Sequence, residues 1–271
     1  KMKNMKSIIA NNLQISYLDV GSGPALLLLH GFSLDHTMWK NQINDLEKKY
    51  RIIVPDLRGS GLTGNSSEEV TLPMMADDMS AFIDALNITS IAIAGFSMGG
   101  YILLEMLLRN PLPICSAAFI STRSAADSIE NKQKREEQMI AIINEGSKRF
   151  AKKFSPELFG NSFRKKNPED LKKIENIISS QNSINIAKLL NAIRIRQDYT
   201  GRLHEINIPC AVIGGIEDRL IPKEDFYKLN QHLRSSTFHL LKEIGHMAPI
   251  ESPDSVSFIL DELLQSAGMW I

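Results

Sequence analysis

A serine attacks a carbonyl only when a neighbour takes its proton and the backbone holds its hydroxyl clear of the chain. Gly95-Phe96-Ser97-Met98-Gly99 offers such a serine. The segment follows the apolar run Ser90-Ile91-Ala92-Ile93-Ala94 and opens the helical pattern Met98 to Arg109. A strand, a very tight turn and a helix in that order make a nucleophile elbow. Side chains at the flanking positions would collide with the neighbouring strand and helix, which is the steric reason for glycine at 95 and 99. Ser97 then stands at the positive end of a helix dipole that favours developing negative charge. The competing reading is a glycine-rich turn with an incidental serine.

The chain has six histidines from which to draw a base. His30 lies ahead of the elbow, at a strand end. His36 precedes Trp39 near the start of a helix, where it could line a pocket or cap the helix. His204, His232 and His239 sit at ordinary surface, helix or strand positions. His246 differs, because Glu243-Ile244-Gly245-His246-Met247-Ala248-Pro249 follows the last strand and precedes the last helix. A loop there can drop an imidazole onto a serine at the top of a sheet. The acid that orients it should fall between the two in chain order. Asp218, in Gly214-Gly215-Ile216-Glu217-Asp218-Arg219, leaves the strand Cys210 to Ile213 by a short glycine-rich turn. It would fix the His246 tautomer and stabilise the imidazolium. Glu217 is its rival. After the preceding strand stand Ser121, Thr122 and Arg123, none of them a carboxylate.

A tetrahedral intermediate also needs donors for its oxyanion. Gly31, in His30-Gly31-Phe32, permits a sharp turn that can aim the Phe32 N–H inward, and the Met98 N–H supplies the second donor. Pocket walls are expected from Phe32, His36, Trp39 and Phe96. Met139, Phe150, Phe154, Leu158, Phe159 and Phe163 are further apolar candidates, favouring an apolar acyl or alcohol group. No His/Asp/Glu cluster has recognised metal-ligand spacing, so neither a metal nor a cofactor is expected.

The elements that must position these residues alternate between strand and helix. Leu13 to Val20, Ala25 to Leu29, Arg51 to Val54, Ser90 to Ala94, Ser116 to Ile120, Cys210 to Ile213 and Thr237 to Leu241 read as strands. Met38 to Lys49, Leu72 to Leu86, Met98 to Arg109, Lys223 to His232 and Ser255 to Gln265 read as helices. That alternation predicts a mostly parallel sheet with helices on both faces. It breaks between about Ser121 and Asp198, which shows helical patterns and no convincing strand. Sixteen Lys/Arg stand against ten Asp/Glu in that stretch, and fifteen against twenty-one elsewhere. An α/β core of residues 1–121 and 199–271 with a helical cap, or lid, at 122–198 is the expected division.

Composition bounds the function. The 271 residues are 43% hydrophobic and 23% charged, with 31 Lys+Arg balancing 31 Asp+Glu. A formal charge of zero asks for neither nucleic acid nor an anionic membrane surface. Two cysteines, Cys115 and Cys210, exclude a disulfide scaffold. Apolar runs such as Ala25 to Leu29 are far too short to span a bilayer. The basic start, Lys1 to Lys6, is not followed by the apolar stretch of a signal peptide. A soluble cytoplasmic protein is the expectation; the oligomeric state is left open.

With these residues placed, the chain resembles the α/β-hydrolase superfamily over essentially its whole length. The matching pieces are His30-Gly31-Phe32, Pro55-Asp56-Leu57-Arg58-Gly59-Ser60-Gly61, the elbow at Ser97, Asp218 and Gly245-His246. Among members it is most similar to small cytoplasmic esterases, enol-lactonases and cofactor-free perhydrolases. The resemblance implies an eight-stranded sheet with one antiparallel strand near the N-terminus and a helical cap after the sixth strand. It implies structural roles for Asp56 and Arg58 around the oxyanion loop. Relatives that are haloalkane dehalogenases or epoxide hydrolases mostly carry aspartate at the elbow, so Ser97 argues against both. Carbon–carbon bond hydrolases tend to have extra Gly and Pro where Phe32-Ser33-Leu34 stands. The expected function is hydrolysis of a small ester or lactone through an acyl-enzyme. A slow hydrolase that senses a ligand and signals through a partner is the alternative, with a carbon–carbon bond hydrolase beside it.

Overall fold

Ala25–Leu29 (β3), Ile91–Phe96 (β5) and Cys210–Gly215 (β7) are buried at every residue. Strands covered on both faces must lie inside a sheet sandwiched between layers of helix. The computed structural model describes residues 4–64, 69–109 and 112–268, so the outermost residues of the expected core, 1–3 and 269–271, lie outside it. The other strands are Lys6–Ala10 (β1), Leu13–Val20 (β2), Arg51–Pro55 (β4), Ile114–Ile120 (β6) and Ser236–Leu241 (β8). They form one eight-stranded sheet in the order β1-β2-β4-β3-β5-β6-β7-β8. Only the β1–β2 and β2–β4 pairings are antiparallel, so β2 alone runs against the others.

Strand β1 escapes the sequence reading because it is a largely exposed edge whose alternation is weak. The overlooked signal is Asn11-Asn12, the two-residue turn between Ala10 and its partner Leu13. Both asparagines have positive φ, 49° and 58°, as a hairpin turn of the right twist requires.

Between the strands run Lys40–Leu46 (α1), Leu72–Ala85 (α2), Met98–Arg109 (α3), Lys223–His232 (α9), Ala248–Glu251 (α10) and Pro253–Ser266 (α11). Helix α1 packs with α11, and α2 with α3. The helix expected over Met38 to Lys49 is shorter, because Asp35 caps a separate 3-10 turn at His36–Trp39 before α1 begins.

The stretch between β6 and β7 contains Ile129–Glu145 (α4), Ser147–Phe154 (α5), Asn161–Lys166 (α6), Pro168–Ser180 (α7) and Ser183–Arg194 (α8). Among the described residues it holds no strand. Helix α4 packs on α8 and α5 on α7. The two ends of this insert are tied together where Tyr199 N–H donates to Ser124 O at 3.0 Å and Arg196 Nη2 to Asp127 at 3.0 Å. No described helix is long and apolar enough to cross a membrane.

Candidate active site

Ser97 sits between β5 and α3 with φ at +51°, the left-handed region that costs a non-glycine residue of order 1–3 kcal/mol. The strain is sustained from several sides. Ser97 N–H donates to Ile120 O at the end of β6 (2.9 Å), and the Thr122 hydroxyl donates to Ser97 O (2.9 Å). The two motif glycines let backbone pass where a side chain could not. A Cβ on Gly95 would lie 2.5 Å from Gly99 O, and one on Gly99 would lie 2.4 Å from Leu29 O.

His246 is carried by the loop between β8 and α10. Its Nε2 lies 2.9 Å from Ser97 Oγ, and its Nδ1 lies 2.8 Å from Asp218 Oδ2. The imidazole and carboxylate are 2% and 0% exposed, so no bulk water competes for these bonds. The other Asp218 oxygen accepts from Leu220 N–H (2.8 Å) and Ile221 N–H (3.0 Å), which fixes the carboxylate plane. This network assigns the Nδ1–H tautomer, leaving Nε2 to accept the serine proton. The Phe96 ring stands 5.1 Å from the imidazole ring and shields it.

An oxyanion donor must not already be spent on another acceptor. Among the described residues no hydrogen bond engages the backbone N–H of Phe32 or of Met98. The Phe32 turn is held by buried His30. Leu57 N–H donates to His30 Nε2 at 3.0 Å, so Nδ1 carries the proton and donates to Gly31 O at 2.9 Å. Burial lowers the His30 pKa and keeps the ring neutral, in keeping with that bonding. Asp56 and Arg58 brace the same region. Asp56 accepts from His36 and Leu62, and Arg58 forms a two-nitrogen bond with Asp78.

A cavity of about 260 Å³ opens beside Ser97 and His246. Phe32 and Phe96 line it; His36 and Trp39 do not. The His36 ring is turned away, its Nδ1 2.8 Å from buried Asp56. Trp39 is fully buried and meets the Phe96 ring edge-on from behind. From the insert, Phe154 and Leu158 reach the cavity. Phe150 packs against Phe32 and Phe154, while Phe159 stacks on Phe163. Met139 is partly buried against the core. Tyr101, Arg135 and Gln138 also line the cavity and were not foreseen.

Sequence reasoning also missed Glu251, whose buried carboxylate joins the insert to the histidine loop. Its Oε2 accepts from Gly160 N–H (3.0 Å) and Gly245 N–H (2.9 Å), and its Oε1 from Met247 N–H (3.1 Å). Burial pushes this carboxyl upward in pKa, and the three amides only partly oppose it. His246 N–H and Met247 N–H both donate to Leu158 O in the insert (3.0 and 3.1 Å). Among the described residues no cluster of three or more His, Cys, Asp or Glu could hold a metal ion.

A family model for the alpha/beta hydrolase fold matches residues 24–253. A 3-oxoadipate enol-lactonase from Acinetobacter baylyi is 25% identical, over 98% of this chain and 99% of that protein. A thermophilic esterase from Thermogutta terrifontis, solved with malate bound, superimposes with a TM-score of 0.92 at 29% identity. That match covers 97% of this chain and 99% of the other. The enol-lactonase of Burkholderia xenovorans shares the fold with a TM-score of 0.89 at 22% identity, over 96% of this chain and all of that one.

Proposed function

From the membership of this chain in the alpha/beta hydrolase fold family, we propose that it is a serine hydrolase of small carboxylic esters or lactones. The observation that carries this reading is the unbroken line Ser97 Oγ, His246 Nε2, His246 Nδ1, Asp218 Oδ2, at 2.9 and 2.8 Å. Ester and lactone substrates are favoured by the named activities of the relatives and by the aromatic walls of the cavity.

In the proposed reaction, Ser97 Oγ attacks the carbonyl carbon as its proton passes to His246 Nε2. The carbonyl π electrons move to oxygen, where the Phe32 and Met98 N–H groups receive the charge. The carbon–oxygen bond to the leaving group then breaks, and imidazolium returns its proton to the departing alkoxide. Water, deprotonated by His246, opens the acyl-enzyme and restores Ser97. Asp218 holds the tautomer and offsets the imidazolium charge throughout. The insert of residues 122–198 acts as the lid of this cavity in the proposal. No disulfide joins Cys115 and Cys210, which suits the reducing cytoplasm proposed for the enzyme.

Short-chain p-nitrophenyl esters and a panel of lactones test the reading. Turnover of esters or lactones with an initial burst equal to the enzyme concentration supports it. No turnover of any member by folded protein contradicts it.

A further inference from the structure

One wall of the cavity is cationic. Arg135, on α4, lines the cavity and donates from Nε to Asp127 Oδ2 at 2.5 Å. Among the described residues its two terminal nitrogens have no hydrogen-bond partner. Asp127 cannot neutralise it alone, because the same buried carboxylate also accepts from Arg123 (2.9 Å) and Arg196 (3.0 Å). The second acid of the group, Asp225, is bonded to Arg123 at 3.1 Å. Three guanidiniums against two carboxylates leave one positive charge in excess. Burial pushes Asp127 upward, but the hydrogen bonds and the charges of Arg196 and Arg135 together outweigh it and hold its pKa below the ordinary value.

The cluster also reaches towards the nucleophile. Arg196 lies over the Tyr101 ring at 4.6 Å, and Tyr101 lines the cavity one helical turn beyond Ser97. Gln138 adds an amide to the same wall, one turn along α4 from Arg135. The acid that lines the cavity, Glu157, is paired with Arg219 at 3.2 Å and half exposed. Asp127 engages Arg135 through Nε, which leaves the two terminal nitrogens for a ligand, and the planar fork of a guanidinium fits a carboxylate.

We propose that Arg135, held by Asp127 within the Arg123–Arg196 cluster, is a carboxylate-binding subsite. The substrate is then an ester or lactone with a second, ionised carboxylate on a short arm. This goes beyond the apolar acyl or alcohol group expected from the aromatic residues, and it rests on the serine-hydrolase reading.

The test separates binding from chemistry. Calorimetry on Ser97→Ala compares monomethyl glutarate with neutral methyl pentanoate. The half-ester is expected to bind about 10- to 100-fold more tightly, the range of a charge-assisted hydrogen bond. Adding Arg135→Gln should remove most of that preference, and Arg135→Lys, which keeps charge but loses the fork, should keep an intermediate one. A melting scan shows that each variant is folded; if Arg135→Gln is not, the Lys variant decides by a several-fold loss. Equal affinities for the two esters, or a preference that Arg135→Gln and Arg135→Lys leave intact, overturn the proposal. The wild type on the corresponding p-nitrophenyl esters, with uncatalysed hydrolysis subtracted, completes the test. Turnover without a binding preference refutes the subsite alone. A preference without turnover refutes the hydrolase reading alone.

Discussion

Glu217 and Asp218 are neighbours in the chain, but their carboxylates serve different parts of the molecule. Asp218 Oδ2 lies 2.8 Å from His246 Nδ1, whereas Glu217 turns to the insert and accepts from Ser162 N–H (3.0 Å) and Ser162 Oγ–H (2.8 Å). The Ser162 bonds hold the Glu217 carboxyl below its ordinary pKa. The loop after β7 thus carries one acid for the imidazole and one for the insert.

Substitution of the two acids should therefore separate sharply. Asp218→Asn keeps the shape but removes the charge that sets the tautomer, and kcat should fall by about 10⁴, as in a comparable triad. Glu217→Gln should cost less than about tenfold, since it loosens only the insert anchor. Both variants are to be assayed on one activated ester. If Glu217→Gln is the crippled protein, the acid has been assigned to the wrong residue.

Glu251 should behave as a positioning residue. Glutamine offers one acceptor oxygen to three amides and turns an NH₂ against at least one of them. Stability should fall by about 1–3 kcal/mol, the cost of leaving a buried donor unsatisfied. Because the Gly245 and Gly160 amides share this carboxylate, kcat should fall as well. Denaturant midpoints and ester turnover check both effects; full activity in a destabilised Glu251→Gln would separate the clamp from the imidazole.

His36 supplies a pH signature of the fold. Burial lowers its pKa, but the hydrogen bond to Asp56 and the charges of Asp56 and Asp35 together outweigh burial and raise it above the ordinary value. The folded state thus favours the protonated ring. Its contribution is full below the unfolded value of about 6.5 and is lost as pH rises through the folded value. Urea midpoints at pH 6 and pH 8.5 should show wild type losing more stability than His36→Gln over that interval. Equal losses in the two proteins would contradict the pairing.

The core strands and Ser97, Asp218 and His246 were legible because each rests on a local rule. A buried parallel strand must be continuously apolar, and an elbow must have small neighbours. Those rules act within a few residues and leave a mark in the chain. That Trp39 and His36 stand outside the cavity lining was not legible, because the orientation of their short 3-10 turn depends on Asp56, twenty residues from His36. Glu251 and Arg135 were hidden for the same reason. A buried carboxylate that joins Gly160 to Gly245, or one that gathers Arg123, Arg135 and Arg196, is a tertiary arrangement with no fixed spacing. The edge strand β1 lacked a clear alternation, since Ile8 and Ile9 stand side by side, and its Asn11-Asn12 turn was the signal that could have announced it.

If Ser97 is the nucleophile, it forms a covalent bond to the substrate carbonyl, and peptide mapping after reaction with a fluorophosphonate probe identifies the residue that reacts. Wild type should carry one phosphonyl group on the peptide containing Ser97, with ester turnover lost in step with labelling. Ser97→Ala should remain unlabelled, with kcat lowered by up to about 10⁶, as triad deletions elsewhere allow. Stoichiometric labelling at a different serine, with turnover retained by Ser97→Ala, would show that Ser97 is not the nucleophile.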